Sequence, residues 1–301
     1  MTASGTPAAI EVVRAGALTT VQDLGRAGNA HLGVPRSGAL DEPAHRLANR
    51  LLRQSERAAT LETTLTGCTV RALVPTTAVV TGAPGPVTVD GRPAPWGAPV
   101  RLAAGAVLDV GAATHGLRAY VGLRGGVDAE PVLGSRSTDL LSGLGPARAA
   151  DGDRLRLGRP PSAAGGAAGG ALGCGVVGGV HRGRFLRELL LPVVRGPRHA
   201  WFTARALRTL TSAVYRVSSD SNRIGLRLDG PALERAREGE LPSEGMPLGA
   251  VQVPPEGRPV VFLADHPVTG GYPVVGVVPG RALWAAAQAV PGTPVRFVPA
   301  A

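Results

Sequence analysis

Short apolar or alternating runs, separated by Gly and Pro, fill the first half of the chain. Their lengths and spacings are typical of antiparallel strands that close into a barrel or a sandwich. Asp90-Gly91 has the composition of a tight hairpin turn between two of these runs. The predicted strands cover residues 8–14, 68–73, 78–81, 87–89, 100–102, 107–110 and 118–123.

The clearest helix signal covers residues 41–53, where Ala44, Leu47 and Ala48 recur at helical spacing and Asp41 can cap the first turn. Further strands are predicted at residues 187–195, 215–218, 225–228, 260–263 and 295–298, and further helices at 204–211 and 282–289. The pattern therefore predicts a mainly β fold with a few helices. Periodicity alone does not distinguish one kind of closed sheet from another.

The length of 301 residues suits two ordinary domains, each able to bury a core. Between Gly158 and Gly183 the sequence changes to a Pro-Pro-Ser step followed by repeated Gly pairs, a composition typical of a flexible linker. We therefore predict an N-terminal β-rich domain at residues 1–158, a Gly-rich linker at 159–185, and a C-terminal domain at 186–301.

All 32 basic residues are Arg, and the formal net charge is +10. The arginines are scattered singly and aromatic residues make up only 3% of the chain, so a nucleic-acid-binding surface is not indicated. A chain without Lys has no Schiff-base lysine, no phosphate-binding P-loop lysine and no lysine to carry covalent biotin. Biotin can take part only if another protein supplies it.

Cys68 and Cys174 lie far apart in the sequence, so neither a zinc site nor a disulfide framework is indicated. The first residues lack the basic start and apolar core of a signal peptide, and no apolar run is long enough to cross a bilayer. We therefore expect a cytoplasmic protein that does not bind membranes. The six histidines are too dispersed for a catalytic triad or a metal site.

Polar residues are concentrated near the C-terminus, between short apolar strands. Residues 260–264 predict a buried strand, so Asp265 should emerge at its end. The pair Gly270-Gly271 then allows backbone amides to approach a ligand closely. A tight loop whose glycines only permit positive φ angles is the alternative interpretation. His266 is the one histidine beside this polar segment.

Several separated motifs in this chain resemble those of the allophanate hydrolase subunit 2 family, also called the biotin-dependent carboxyltransferase family. The resemblance extends from about Ile10 to Pro299. Two departures concern ligand charge: many relatives carry a basic residue where this chain has Val274, and an acidic one where it has Asn222. The motifs are Gly16 to Arg26, Val34 to Asp41, Val132 to Thr138, Ser221 to Leu228, and a C-terminal segment made of Ser243 to Gly245, Gly249 to Gly257 and Asp265 to Pro273.

The resemblance implies two cyclophilin-like β-barrel domains, which is compatible with the predicted strands. It also implies ATP-dependent opening of the lactam ring of 5-oxo-L-proline to give L-glutamate. Phosphorylation of the lactam oxygen would create the leaving group that attack by water requires. The implied cofactor is ATP with Mg, bound in a complex. The implied partners are the B subunit of 5-oxoprolinase, which is like subunit 1 of allophanate hydrolase, and the A subunit of the same enzyme.

That chemistry needs groups that stabilise a phosphoryl charge and groups that transfer protons. Arg223 is the candidate for binding an anion, and its alternative is an ion pair with Asp220 or Asp229. Glu244 and Asp265 are the candidates for proton transfer or for metal-assisted phosphate binding, and either can instead cap a turn. On this interpretation Arg223→Ala and Asp265→Asn should abolish turnover with almost no change in melting temperature.

The substrate-binding candidates come mostly from the same C-terminal motifs. Gln252 can offer an amide donor and acceptor to a small ring amide. The segment around Gly270 can hold an anion with backbone amides. The set comprises Ser221, Asn222, Gln252, Thr269, Gly270, Gly271 and Tyr272, with Ser135 and Arg136 from the N-terminal half. Those last two equally fit a structural role, since Ser and Arg in turns commonly satisfy backbone carbonyls. No metal ligand is predicted.

Other functions fit the same family. One is the carboxyltransferase part of a biotin-dependent, urea carboxylase-like system, which moves a carboxyl group to a small amide. Another is a non-enzymatic regulator that binds a subunit-1-like kinase inhibitor. All of these act in a heteromeric complex. A barrel that binds a small molecule without an enzymatic role is a further alternative.

Overall fold

The computed structural model describes residues 9–160, 188–239 and 241–300. Almost all of the predicted linker, 159–185, lies outside the described residues. The chain divides into two compact units. Of the described residues, the first unit contains 9–25, 42–138 and 144–160, and the second contains 26–41, 139–143, 188–239 and 241–300. The second unit therefore includes two segments from the N-terminal half of the sequence.

The described strands of the first unit form two antiparallel sheets. Alternate side chains of both sheets meet in one apolar core that includes Ile10, Leu61, Val80 and Leu108. The strands are β1 Ile10–Arg14, β2 Leu18–Gln22, β3 Thr60–Thr64, β4 Cys68–Ala72, β5 Thr76–Gly82, β6 Val87–Val89, β7 Arg92–Pro93, β8 Val100–Leu102, β9 Val107–Val110, β10 Arg118–Leu123 and β11 Arg154–Leu155. Their order is β11-β1-β4-β9-β6-β7 in one sheet and β2-β3-β10-β5-β8 in the other.

Helix α1, Glu42–Leu51, lies against β5 and β10. Its apolar stripe buries Ala48, and the following Leu52 packs with it against Val79. The helix approaches β10 closely at Gly122, because a Cβ there would lie 3.1 Å from the Ala48 Cβ. The predicted helix at 41–53 is confirmed, with slightly tighter bounds.

The second unit is a closed barrel with strand order β12-β19-β16-β17-β14-β13-β20 in its described residues. A separate two-stranded pair, β15 with β18, accompanies it. The strands are β12 Leu189–Arg195, β13 Tyr215–Val217, β14 Gly225–Asp229, β15 Glu244–Gly245, β16 Ala250–Gln252, β17 Val260–Phe262, β18 Thr269–Gly270, β19 Val274–Val277 and β20 Pro294–Pro299. The helices are α2 Ala204–Ser212 and α3 Gly280–Ala286.

Alternation along the barrel strands separates an inner face from an outer one. On β12, Leu189 and Leu191 are buried in the core, whereas Leu190 between them is 50% exposed. Phe297 on β20 fills the same core and packs edge-on against Tyr215. Helix α2 begins after Thr203, whose side chain accepts a hydrogen bond from the Ala206 N–H.

The mainly β fold with a few helices is confirmed, and most predicted strands match within two residues. Asp90 and Gly91 have φ angles of 50° and 74° between β6 and β7, as a tight hairpin requires. The last helix begins at Gly280 rather than Ala282. Strands β2, β3, β16 and β19 were not predicted, and neither were the two-residue strands β7, β11, β15 and β18. Among the described residues, none of the helices combines the length and the apolar character that a membrane span needs.

Candidate functional site

Several predicted site residues meet on the outer face of the barrel. The short strands β15 and β18 pair so that Glu244 lies opposite Gly270, and Gly245 lies opposite Thr269. The Met246 N–H extends this pairing by donating to the Val268 carbonyl. Three predicted residues, Glu244 together with Thr269 and Gly270, are therefore neighbours in one hairpin-like element.

Gln252 lies beside this element, on barrel strand β16. Its register places it between Val260 and Val274 of the adjacent strands, and it is 7% exposed. A Cβ on Gly270 would lie 2.8 Å from Gln252 Nε2, so β18 passes directly over the Gln252 amide. Gln252 Nε2 also donates a hydrogen bond of 3.4 Å to the Tyr272 carbonyl.

The surface beneath these polar groups is apolar. A cluster on the outer face contains Met246, Ala250, Val260, Phe262 and Val274. These residues alternate with Val251, Val261 and Val275, which point into the barrel core. Val274 therefore completes an apolar floor. We call Glu244, Met246, Gln252, Phe262, Gly270 and Tyr272 together the outer-face site.

Two arginines adjoin the outer-face site. Arg198 forms a half-exposed ion pair with Glu244, and this hydrogen bond raises the pKa of Arg198. The Arg235 guanidinium lies 5.8 Å from the centre of the Tyr272 ring, within the range of a cation–π contact, and Nη2 donates to the Val253 carbonyl. Neither arginine was predicted, because single arginines occur throughout this sequence without a distinguishing pattern.

His266 borders the same apolar floor. Its ring stacks on Phe262 with a centroid distance of 5.8 Å and an interplanar angle of 13°. Burial lowers the pKa of His266, although a hydrogen bond to the Pro267 carbonyl and the nearby Asp265 and Asp139 act in the opposite direction. The imidazole is therefore neutral at neutral pH.

Arg223 and Asp265 form an ion pair whose two side chains have no exposed surface. Arg223 Nε lies 2.9 Å from Asp265 Oδ2, and Arg223 Nη2 lies 3.0 Å from Asp265 Oδ1. The same Nη2 donates to the Gly38 carbonyl at 2.7 Å. Ser37 Oγ donates to Asp265 Oδ1 at 2.7 Å, and the Leu140 N–H donates to Oδ2 at 3.2 Å.

This ion pair joins the two inserted segments, 26–41 and 139–143, to the loops of the barrel. The partner of Arg223 is Asp265 rather than Asp220 or Asp229, which were the alternatives considered from the sequence. Because the pair is enclosed, its geometry supports a role in fixing these loops. The expectation that substitutions here leave the melting temperature unchanged is therefore revised.

Ser221 and Asn222 organise the turn that leads into Arg223. Asn222 Oδ1 accepts hydrogen bonds from the N–H groups of Ile224 and Gly225, at 2.8 and 3.2 Å. Ser221 Oγ accepts from the Arg227 N–H at 3.0 Å. An aspartate at position 222 would accept the same two bonds, so the departure to Asn preserves the turn.

Ser135 and Arg136 belong to the first unit, where they surround Asp23. Asp23 Oδ1 accepts from the hydroxyls of Ser135 and Ser137, each at 2.6 Å, and from the Gly25 N–H at 2.8 Å. Asp23 Oδ2 accepts from the Arg136 N–H at 2.7 Å. The Arg136 side chain instead pairs with the half-exposed Asp128. These contacts connect β2 to the segment before residue 138.

Replacing Asp23 with Asn should lower the free energy of unfolding by about 1–3 kcal/mol at neutral pH, since one of the two accepting oxygens is replaced by an NH2 group that faces a donor. Burial alone would raise the pKa of Asp23, but the hydrogen bonds from Ser135, Ser137, Arg136 and Gly25 outweigh it and lower the pKa from 3.8. The stabilisation is therefore present above the unfolded-state pKa and is lost as the pH falls through the lower folded-state pKa.

Urea unfolding of both proteins between neutral and strongly acidic pH measures this difference. We expect the gap between wild type and Asp23→Asn to narrow with increasing acidity. A gap that stays constant over the whole range would contradict the assigned role of the Asp23 carboxylate.

The described residues contain no group of three or more His, Cys, Asp or Glu side chains placed to hold a metal ion. Glu244 and Asp265, the two carboxylates considered for metal-assisted chemistry, also form ion pairs with different arginines. Glu244 pairs with Arg198, whereas Asp265 is enclosed with Arg223.

These observations define the class of protein. It is a mainly β chain of two units, with a polar site on the outer face of a closed barrel. The profile described as "Carboxyltransferase domain, subdomain A and B" matches residues 32–299. The chain therefore belongs to this carboxyltransferase domain family.

Similar proteins fall into two groups. The chain is 36% identical over 296 residues to the C subunit of 5-oxoprolinase from Escherichia coli (strain K12), covering 96% of this chain and 90% of that protein. It is 33% identical over 312 residues to urea amidolyase of Saccharomyces cerevisiae, covering 97% of this chain but 17% of that much longer protein. The crystal structure of the Kluyveromyces lactis urea carboxylase superposes with a TM-score of 0.85 at 30% identity, covering 98% of this chain and 28% of that one.

Proposed function

We propose that this chain is the C subunit of an ATP-dependent 5-oxoprolinase, which opens 5-oxo-L-proline to L-glutamate together with its B and A subunits. The observation that carries the proposal is the identity to the C subunit of a known 5-oxoprolinase over nearly the full length of both chains. The chain covers only 17% of the yeast urea amidolyase and 28% of the urea carboxylase, so the complete activities of those proteins transfer less directly.

The outer-face site suits a small ring amide. The Gln252 amide can donate to a carbonyl and accept from an N–H, while the apolar floor around Phe262 contacts the ring methylenes. Arg198 and Arg235 can balance the substrate carboxylate or a phosphoryl group. Glu244, half-exposed at the edge of the site, is placed to move a proton.

In this proposal the Mg and the ATP bind mainly to the B subunit. Mg²⁺ is usually held by carboxylates and substrate phosphates. The part of the chain that the structure describes has no cluster of three candidate ligands, so its residues do not fit a metal site of their own. The proposed role of this chain is to bind and orient the lactam beside the nucleotide.

Carboxyl transfer is the second candidate function. It is favoured by the family profile, whose description is a carboxyltransferase domain, and by the urea amidolyase relatives. In that case a small amide would occupy the same outer-face site. Because this chain contains no Lys, a separate protein would supply the biotin.

The deciding experiment measures ATP-dependent glutamate release from 5-oxo-L-proline with this chain and the purified A and B subunits, omitting each component in turn. We expect turnover only when all three proteins are present. A stable complex that releases no glutamate would overturn the proposal. Carboxylation of urea after addition of a biotin carrier and a carboxylase would then support the second candidate.

Gly270→Ala should raise KM for 5-oxo-L-proline several-fold with little loss of stability. The new Cβ would lie 2.8 Å from Gln252 Nε2 and 3.4 Å from Met246, and both neighbours are flexible side chains that can shift. Gln252 would then be displaced from the position proposed to hold the ring. Steady-state kinetics of the complex and melting temperature measure the two effects.

Gly245→Ala is the matched control, because Gly245 lies on the paired strand and an added Cβ there meets nothing within 4 Å. It should leave both KM and melting temperature almost unchanged. Equal kinetic effects of the two substitutions would show that the hairpin-like element matters as a whole and that the Gln252 contact does not.

A further inference from the structure

The two ring nitrogens of His266 have different environments. Nδ1 lies 2.8 Å from the Pro267 carbonyl oxygen. A carbonyl only accepts hydrogen bonds, so Nδ1 carries the proton in the neutral ring and Nε2 carries the lone pair. Among the described residues, Nε2 has no hydrogen-bond partner of its own. His266 thus presents an acceptor, although the residue is only 5% exposed.

The position of this acceptor is fixed by the outer face of the barrel. The imidazole stacks on Phe262, which lies two residues from Val260 on the same face of β17. Val260 is the direct cross-strand partner of Gln252. Diagonal neighbours in such a sheet have Cα atoms about 7–8 Å apart. His266, through its stacking on Phe262, and Gln252 therefore border the same apolar floor.

We propose that His266 is a substrate-binding residue that accepts, through Nε2, a hydrogen bond from the ring N–H of a small cyclic amide. Gln252 then donates from its amide to the carbonyl of the same ring. This inference deepens the proposed function and rests on it for the identity of the lactam. It adds a residue that the sequence motifs did not place among the ligand contacts.

Charge explains why the amide edge of the ligand faces His266. An unprotonated Nε2 has no positive charge to attract a carboxylate, and the nearby Asp265 and Asp139 are themselves acidic. The substrate carboxylate is instead expected toward Arg198 and Arg235. His266 thereby fixes which side of the ring is presented to the phosphoryl donor.

Acid should weaken this interaction. Protonation gives Nε2 a hydrogen and removes its ability to accept one, so ligand affinity should be constant at neutral pH and fall as the pH drops through the pKa of His266. Burial lowers that pKa from 6.5, with Asp265 and Asp139 opposing the change. Both carboxylates also face arginines, Arg223 and Arg26 respectively. The loss of affinity is therefore expected on the acidic side of the ordinary histidine range.

Calorimetric binding to the complex with the B subunit provides the main test. His266→Phe keeps a ring that stacks on Phe262 but removes the acceptor, and we expect Kd for 5-oxo-L-proline to rise about tenfold, the equivalent of one hydrogen bond. His266→Gln, which places an amide oxygen near the former Nε2, should recover part of the affinity. Unchanged affinity in His266→Phe would overturn the inference.

A second test needs no substitution and isolates the N–H contact. The wild-type complex should bind 2-pyrrolidinone more tightly than N-methyl-2-pyrrolidinone, and ¹⁵N NMR should show His266 Nε2 unprotonated. Equal binding of the two probes, or an Nε2–H tautomer, would contradict the proposed contact.

The two proposals fail in distinguishable ways. Equal turnover of 5-oxo-L-proline by wild type and His266→Phe, with unchanged Kd, would remove only the role of His266. No turnover of 5-oxo-L-proline by the wild-type complex would contradict the proposed function. The role of His266 would then be tested by the two pyrrolidinone probes alone.

Discussion

Arg223→Ala should lower the free energy of unfolding of the second unit by about 3–5 kcal/mol, since the Asp265 carboxylate would be left buried without its counter-ion. Asp265 has no exposed surface, and its remaining partners are the Ser37 hydroxyl and the Leu140 N–H. These two donors cannot replace a guanidinium that makes two hydrogen bonds to the carboxylate. Urea unfolding followed by circular dichroism measures the loss.

Arg258→Ala is the control for this prediction. Arg258 also pairs with an aspartate, Asp229, at 3.0 Å, but the two side chains are 63% and 51% exposed. Exposed pairs contribute about 0–1 kcal/mol, so this variant should remain close to wild type. Similar losses for Arg223→Ala and Arg258→Ala would show that burial does not determine the contribution of the Arg223–Asp265 pair.

A double variant separates the cost of an unpaired charge from the value of the ion pair. Arg223→Met combined with Asp265→Leu removes both charges and keeps similar volume, so it should be more stable than Arg223→Ala alone. If the double variant is equally unstable, the hydrogen bonds to Ser37, Gly38 and Leu140 provide most of the stabilisation.

This prediction changes how activity data at these positions must be interpreted. Loss of turnover in Arg223→Ala should be accompanied by loss of folding, so it does not by itself identify Arg223 as a group that contacts substrate. Arg223 and Asp265 are better described as positioning residues, because they hold the loop that continues from Asp265 into His266 and β18.

The strands of the barrel were largely predictable because one face of each is apolar. Leu189 and Leu191 alternate with the exposed Leu190, and Val261 of β17 faces the same core. Strands β16 and β19 were not predicted, although Val251 and Val275 also face this core. Strands β2 and β3 were not predicted because they are rich in Thr. Thr20 and Thr63 are almost fully buried, so polar composition there does not indicate exposure.

The sequence did not predict which segments of the chain belong to which unit. Residues 26–41 and 139–143 join the second unit through contacts such as Ser37 and Leu140 with Asp265, which are separated by 228 and 125 positions. Neither segment differs in composition from its surroundings. A domain boundary placed at the Gly-rich stretch therefore does not predict that these two segments belong to the second unit.

The candidate site was partly predictable because its residues lie in recognisable motifs. Glu244, Gln252 and Gly270 were selected as separate candidates, and the structure brings them together through strand pairing. Arg198 was missed because it lies in no motif. His266 was noted only for its position, since its fixed tautomer depends on a carbonyl and a stacked ring that sequence spacing does not reveal.

Glu244→Gln should reduce turnover of 5-oxo-L-proline by the complex about 10²–10⁴-fold, the range for loss of a proton-transferring side chain. Glutamine keeps the length of Glu244 and can still accept a hydrogen bond from Arg198, but it cannot take up a proton. Because the Arg198 and Glu244 side chains are 41% and 27% exposed, folding should be almost unaffected. Single-turnover kinetics and melting temperature test the two expectations together.

Glu188→Gln supplies a control with the same chemistry elsewhere on the barrel. Glu188 pairs with Arg296 at 3.0 Å, and the side chains of Glu188 and Arg296 are 34% and 41% exposed. Both substitutions remove one carboxylate from a half-exposed Arg–Glu pair, so their effects on folding should match. Only Glu244→Gln should affect the chemical step, because only Glu244 lies opposite Gly270 beside the Gln252 amide. Full turnover in Glu244→Gln would assign the carboxylate to orienting Arg198 and leave proton transfer to the partner protein.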